Sequence, residues 1–284
     1  MTKPITKKQQ EILTLLYKYR FLNRVQIQTF LNHKYHKRIN DWLKDLNQKE
    51  YINRIYSTNF GENTKPAIYY IGLNGIRYLK TQDDCSLEVL QKRYRDKDRS
   101  ESFVEQSILV GDIVLQLKEC ALKSKEDGEY ELAYFVATAT DIANPEYRFN
   151  FLSEIKPDLL MKRQKTKKSS KRTKSLCFLF SILPPTLPHY SIRKRVKDII
   201  KLYYEGDWEA TEDLSFPNIM IICPTLSMLI YVKRLTRKLL EDEDNPEDLQ
   251  IQFTTVEKAK KEGVTGKIWE QVNQFYKNIC NSCS

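Results

Sequence analysis

Residues 33–48 read His33-Lys34-Tyr35-His36-Lys37-Arg38-Ile39-Asn40-Asp41-Trp42-Leu43-Lys44-Asp45-Leu46-Asn47-Gln48, a basic opening that runs into an apolar stripe. Ile39, Trp42, Leu43 and Leu46 fall at i, i+3, i+4 and i+7, the spacing of one helical face, and so predict a helix from about Tyr35. Two further helices precede it. Ile12, Leu15, Leu16 and Tyr19 repeat the same spacing, and Asn23 is a candidate N-cap for a helix carrying Ile27, Phe30 and Leu31. After it, residues 51–57 and 67–71 alternate as strands around Asn59-Phe60-Gly61-Glu62-Asn63-Thr64-Lys65-Pro66, a hairpin with Gly and Asn at its tip. Leu73, Ile76 and Leu79 mark a short closing helix.

Three helices followed by a β-hairpin predict a winged helix-turn-helix over residues 1–80. In that arrangement the third helix enters the major groove of duplex DNA. The candidate DNA contacts are Lys34, His36, Lys37, Arg38 and Asn40, with Lys44 further along and Lys65 on the wing. Lysine and arginine would set orientation on the phosphates, and Arg38 or Asn40 would read a base edge. Winged helices also serve as protein-binding modules, in which these are ordinary solvent-facing side chains. The charge distribution favours DNA.

The chain has 284 residues, with 47 Lys+Arg against 37 Asp+Glu. Residues 1–80 hold 15 basic and 5 acidic side chains, so the whole excess of +10 sits there. The remainder is balanced but polarised: 162–204 has 13 basic residues and only Asp198 acidic, while 205–250 has 11 acidic and 4 basic. Two basic clusters point to a polyanionic partner, most simply nucleic acid. No apolar run approaches the roughly 20 residues of a membrane span, and the start lacks the apolar core of a secretory signal. A cytoplasmic protein with no membrane partner is expected. The six cysteines read as reduced and mostly buried thiols. Cys280 and Cys283 form a single C-x-x-C, and His33 and His36 an H-x-x-H, each without the second ligand pair that zinc needs.

Residues 81–101, dense in charge and without a sustained apolar stripe, read as a linker. A second domain over 102–284 should open with a helix near 102–123, followed by strands near 130–138, 156–163 and 175–183. A helix at 190–205, a strand after Pro217, a helix carrying Met228, Val232, Leu235 and Leu239, and a strand at 249–254 come next. A last helix would carry Ile268, Val272 and Phe275. The order helix, three strands, helix, strand is that of a restriction-endonuclease-like (PD-(D/E)xK-type) mixed α/β domain. The fold class expected is therefore α+β.

Active members of that fold place two carboxylates on adjacent strands around a divalent metal that activates water at a phosphodiester. Pro157-Asp158 stands where the first carboxylate belongs. The third strand, Cys177-Phe178-Leu179-Phe180-Ser181-Ile182-Leu183, carries neither acid nor lysine. Asp158 thus reads as a remnant, with Glu105 and Glu154 as the acids that a nuclease would have to recruit and Lys194 or Lys197 as its lysine. The run from Lys162 to Lys174 has eight basic side chains in thirteen residues and reads as a hairpin tip able to track a DNA backbone. Its candidates are Lys167, Lys168, Lys171 and Arg172; the 190–205 helix adds Arg193 and Lys197.

Several stretches together resemble the replication-relaxation family of plasmids and other mobile elements. They are Gln9-Gln10-Glu11-Ile12-Leu13, Arg20-Phe21-Leu22, Val25-Gln26-Ile27, and Ile68-Tyr69-Tyr70-Ile71-Gly72-Leu73-Asn74-Gly75-Ile76-Arg77-Tyr78-Leu79. Pro157-Asp158, Tyr203-Tyr204-Glu205-Gly206-Asp207-Trp208, Phe216-Pro217, Thr254-Thr255 and Trp269 follow in order. The resemblance implies a DNA-binding accessory protein that helps plasmid replication or mobilisation by altering DNA topology. It also implies a third core strand ending in Glu-x-Asp before a Thr-containing turn. Here those positions are Ser181 and Leu183, then Pro184-Pro185-Thr186.

The reading is a non-enzymatic protein that grips double-stranded DNA and works beside replication or conjugative-transfer proteins. Its alternatives are a metal-dependent nuclease or nickase using Asp158 and a transcriptional regulator. No cofactor is expected, and magnesium enters only with the nuclease alternative. The sequence allows a homodimer. Gly263-Val264-Thr265-Gly266-Lys267 has the wrong spacing for a Walker A loop, with Ile268 where Ser or Thr belongs. Tyr203 lies on an apolar stripe and reads as core, not as a nucleophile.

Overall fold

The structure is a computed structural model that describes residues 4–56, 64–127, 130–205, 208, 215–242 and 249–272. The chain divides into two compact units, 1–115 with 143–147 and 116–142 with 148–284. Both mix helices with sheet, and the expected α+β class holds.

In the first unit, α1 (Lys7–Tyr19), α2 (Arg24–Phe30) and α3 (His36–Gln48) form where the apolar spacing puts them. Two reciprocal capping boxes start the first two. Thr6 accepts from the Gln9 amide while the Gln9 side chain accepts from Thr6, and Asn23 does the same with Gln26. Asn23 is therefore the N-cap expected from sequence. Ile12, Leu16, Ile27, Ile39, Leu43 and Leu46 are fully or almost fully buried between these helices. Burial of such side chains contributes roughly 1.5–3 kcal/mol each.

The expected hairpin strands are β2 (Ile52–Ile55) and β3 (Ile68–Ile71), paired antiparallel with Ile52 opposite Ile71. The expected tip, 59–63, lies outside the described residues. Sequence periodicity missed a third strand, β1 (Leu22–Asn23), which pairs antiparallel with the other edge of β3. Two residues are too few to show any alternation. After β3, Gly72 and Gly75 bring α4 (Leu73–Leu79) hard against the turn after α3. A Cβ on Gly72 would sit 2.4 Å from the Glu50 carbonyl oxygen, and one on Gly75 2.2 Å from that of Tyr51. The Gly72 amide donates to Tyr51 O, and Asn74 Nδ2 to Lys49 O.

Residues 81–101, expected as a linker, hold α5 (Leu87–Arg93) with Val89 and Leu90 buried, followed by a 3-10 turn at Asp96–Asp98. Arg93 is also buried, and its guanidinium donates to Tyr17 O at 3.2 Å. Arg20 pairs with the buried Asp96 and lies over the Phe103 ring. Charge density hid this segment's packing because two of its charged residues, Arg93 and Asp96, turn inward while the rest are exposed. The unit continues into α6 (Glu101–Asp127), whose residues through Leu115 belong to it. On that part, Gln26 Nε2 donates to Ile108 O and Asp112 Oδ1, both at 2.7 Å.

The second unit is built on a six-stranded sheet of order β4-β5-β6-β7-β8-β9. Its strands are β4 (Tyr130–Thr138), β5 (Leu159–Lys167), β6 (Thr173–Ile182), β7 (Asn218–Cys223), β8 (Ile251–Thr255) and β9 (Glu270–Gln271). The first three form an antiparallel meander, β6, β7 and β8 run parallel, and β9 returns antiparallel. Between β4 and β5 lie α7 (Ala139–Ile142) and a 3-10 turn (Asn150–Glu154). Parallel neighbours need crossovers, supplied by α8 (His189–Glu205) and α9 (Leu226–Glu241). The buried run in β7, Ile219 to Cys223, reads as continuous apolar sequence because both faces are covered.

Two expectations are corrected here. The chain after β8 forms α10 (Val256–Glu262) and then β9, so the helix expected over Ile268 and Val272 is absent from the described residues; Phe275 lies outside them. This stretch instead pairs with β8, Phe253 opposite Glu270, while the Glu270 side chain accepts from Lys233 of α9 and Lys258 of α10, both at 3.2 Å. The basic run 162–174 is mostly strand, with only 168–172 as its turn. Its uniform charge masked the two-residue period.

Candidate nucleic-acid interface

In the first unit, α3 turns Ile39, Leu43 and Leu46 into the core. Lys37, Asn40, Asp41 and Lys44, spaced i, i+3, i+4 and i+7, then share the opposite stripe, with His36 and Arg38 beside it. All six are exposed, as is Lys34 just before the helix. Among the described residues none of the cations Lys34, Lys37, Arg38 and Lys44 makes an ion pair. By contrast Lys49, one turn beyond Lys44, is held by Asp45 at 2.8 Å. The approach to α3 is fixed by His33, whose Nδ1 accepts from the Tyr35 amide at 3.2 Å and whose ring meets Trp42 edge-on at 5.1 Å. The H-x-x-H therefore contains one turn-forming and one exposed histidine. Lys65 is exposed just before β3.

In the second unit the candidates separate. Lys168, Lys171 and Arg172 are exposed at the β5–β6 turn, with Lys167 half-buried. Lys168 Nζ also reaches Lys125 O at 2.9 Å. Asp158 precedes the first residue of β5, so the turn lies about 30 Å from it along a nine-residue strand at ~3.3 Å per residue. Arg193, Lys194 and Lys197 are exposed on α8, whose other side buries Ile192, Val196 and Ile199.

Asp158 is committed to the backbone. Its Oδ2 accepts from the Ile182 amide at 2.6 Å, and its own amide donates to Phe180 O at 2.9 Å. Across from it, at the end of β6, Ser181 is 4% exposed and its Oγ accepts from Arg195 Nη1 at 3.1 Å. Leu183 is buried. Glu154 is exposed and lines an open cleft of about 450 Å³ with Lys194, Asp198, Lys201 and Glu205, a mixture with no preference for one sign. No three His, Cys, Asp or Glu side chains among the described residues come together as a ligand set. The chemistry of this donor set, one carboxylate already bonded to an amide beside a serine held by a guanidinium, does not fit a divalent metal.

Arg195 was not a sequence candidate. The signal was there: it falls at i+3 of the Ile192, Val196, Ile199 stripe, where a long stem turns toward the sheet. Cys177 and Cys223 are buried as expected, while Cys85 and Cys120 are half-buried; Cys280 and Cys283 lie outside the described residues. Burial pushes the Cys223 thiol up to about 12 and, with the Asp84 charge, Cys85 to about 11, so both stay protonated at neutral pH. Tyr203 packs edge-on against Phe216 at 5.1 Å, as a core side chain does. Gly206 and Asp207 of the same motif lie outside the described residues.

A family model described as replication-relaxation matches residues 13–179. The chain belongs to the replication-relaxation family. The matched span runs from α1 into the middle of β6 and ends two residues before Ser181. No curated protein matches the chain, and no solved structure does. Membership places the role of the protein in replication-relaxation, and no described helix is long and apolar enough to cross a membrane.

Proposed function

We propose that this replication-relaxation protein is a non-enzymatic, duplex-DNA-binding accessory factor of a plasmid or mobile element. Its first unit is read as a winged helix-turn-helix with α3 as recognition helix. The second is read as a restriction-endonuclease-like core that has lost its cutting site. The observation carrying the proposal is the exposed face of α3, whose cations lack ion-pair partners among the described residues, while Arg20, drawn into the same unit, is paired with Asp96. A helix face left unpaired over a three-helix core with a hairpin beside it suits phosphate and base contacts.

The order α6, β4, β5, β6, α8, β7 supports the nuclease-like reading of the second unit. The commitment of Asp158 to Ile182 and the Ser181–Arg195 bond argue against the nuclease alternative. The partners this reading implies are double-stranded DNA and the replication or conjugative-transfer machinery at an origin.

The test is duplex binding by the full chain with Lys37→Ala and Arg38→Ala together. Each phosphate contact contributes about 0.9 to the slope of log K against log salt. Loss of two should flatten that slope by roughly 1.8 and weaken binding at low salt. Unchanged affinity would remove α3 from the interface.

A further inference from the structure

We propose that Arg195 forms a seat for a DNA phosphate at the end of β6, where a nuclease of this fold would cut. The inference rests on the reading of the chain as a duplex-DNA binder and adds a second contact point, in the other unit.

The argument starts from an unbalanced charge. Arg195 is half-buried, yet its guanidinium makes no ion pair with a carboxylate among the described residues. Withdrawing a cation from water is costly unless an anion accompanies it. Arg20 is paired with Asp96 and Lys233 with Glu270, whereas Arg24 and Arg163, half-buried like Arg195, meet the Gln28 amide and the Phe178 ring. Arg195 donates one N–H to Ser181 Oγ at 3.1 Å. The acid at this end of the sheet, Asp158, directs Oδ2 to the Ile182 amide.

The bond to Ser181 fixes the guanidinium. Ser181 is almost fully buried on a central strand and takes one donor of Arg195, whose guanidinium makes no other hydrogen bond or ion pair among the described residues. A planar, oriented fork of N–H donors suits the oxygens of a phosphate. Arg193, Lys194 and Lys197 are exposed on the other side of the same helix without ion pairs among the described residues, and add positive potential that draws a polyanion toward it. The ligand class is therefore a polymeric phosphodiester, held by a fixed protein cation at the place where a catalytic metal would have stood.

The experiment measures the salt dependence of duplex binding by the full chain carrying Arg195→Gln, alone and together with Lys37→Ala and Arg38→Ala. In both backgrounds Arg195→Gln should flatten the slope by about 0.9, one phosphate contact. Lys260→Gln, an equal charge change on the exposed side of α10, should leave it unchanged. Ser181→Ala keeps the charge but frees the fork, and should weaken binding less than Arg195→Gln. Millimolar inorganic phosphate should not displace the duplex; displacement would identify a free-phosphate site and overturn the proposal. An unchanged slope in Arg195→Gln, or an equal change in Lys260→Gln, would also overturn it. If α3 is not an interface, its double variant alone will have no effect while Arg195→Gln still flattens the slope, so the two readings fail separately. Should Arg195→Gln not fold, Arg195→Lys with Ser181→Ala tests the same seat.

Discussion

The carboxylate of Asp158 accepts a 2.6 Å hydrogen bond from the backbone amide of Ile182, so the acid that opens β5 also fastens the end of β6. A hydrogen bond to a charged acceptor contributes roughly 1.5–3 kcal/mol. Asp158→Ala should therefore lower the urea midpoint by a loss of that order, and Asp158→Asn, which keeps a carbonyl acceptor, by less. Equal stability of Asp158→Ala and the parent would mean that this aspartate is kept for something other than strand closure.

The difference between what was legible and what was not follows from the range of each interaction. The stripes of α1, α3 and α8, the Asn23 cap and the antiparallel pairing of β2 with β3 are local patterns, and each stands where the sequence puts it. By contrast, Gln26 reaching Ile108 and Asp112, Arg20 reaching Asp96, and Glu270 gathering Lys233 and Lys258 are long-range pairings between polar residues. Hydrophobic periodicity carries no information about them, although they join residues 96–112 to α2 and the end of α1, and Glu270 to α9 and α10.

Ser181→Asp places a carboxylate beside Arg195, where the proposed nuclease-like reading would put a metal-binding acid. With Asp158 already bonded to Ile182 and a guanidinium within reach, the new acid should pair with Arg195 and not assemble a metal site. The variant should leave supercoiled plasmid intact in magnesium, and its duplex binding should lose the same salt dependence as Arg195→Gln. Magnesium-dependent nicking by this single variant would show that the core is one substitution from activity.

Asp96 is 1% exposed on its side chain and faces Arg20, with Arg99 at 3.9 Å. Arg93 lies close enough that burial first, and the Arg20 charge second, hold its guanidinium down at about 10. Removing the only carboxylate described in this cluster leaves withdrawn cations facing one another, a change that typically costs about 3–5 kcal/mol. Asp96→Ala should accordingly lower the unfolding midpoint far more than Asp98→Ala, made two residues away on the exposed side of the same turn. Similar losses in the two variants would remove the cluster from any role in closing residues 81–101 onto the first unit.

Acid should loosen the other end of the chain. Burial would raise the Glu270 carboxyl, but hydrogen bonds from Lys233 and Lys258 outweigh it and hold the group below its ordinary 4.5. A carboxyl depressed in the folded state binds fewer protons there than when unfolded, so its stabilisation is complete above that ordinary value and is lost as pH falls through the depressed one. Urea midpoints followed from pH 6 down to about pH 3 should decline, and Glu270→Gln should flatten the part of the decline due to this group. In that variant Lys233, buried on α9, would lose the Glu270 countercharge, so the midpoint at pH 6 should fall as well. A pH profile identical to that of the parent would mean that β9 is held by its backbone pairing with β8 alone.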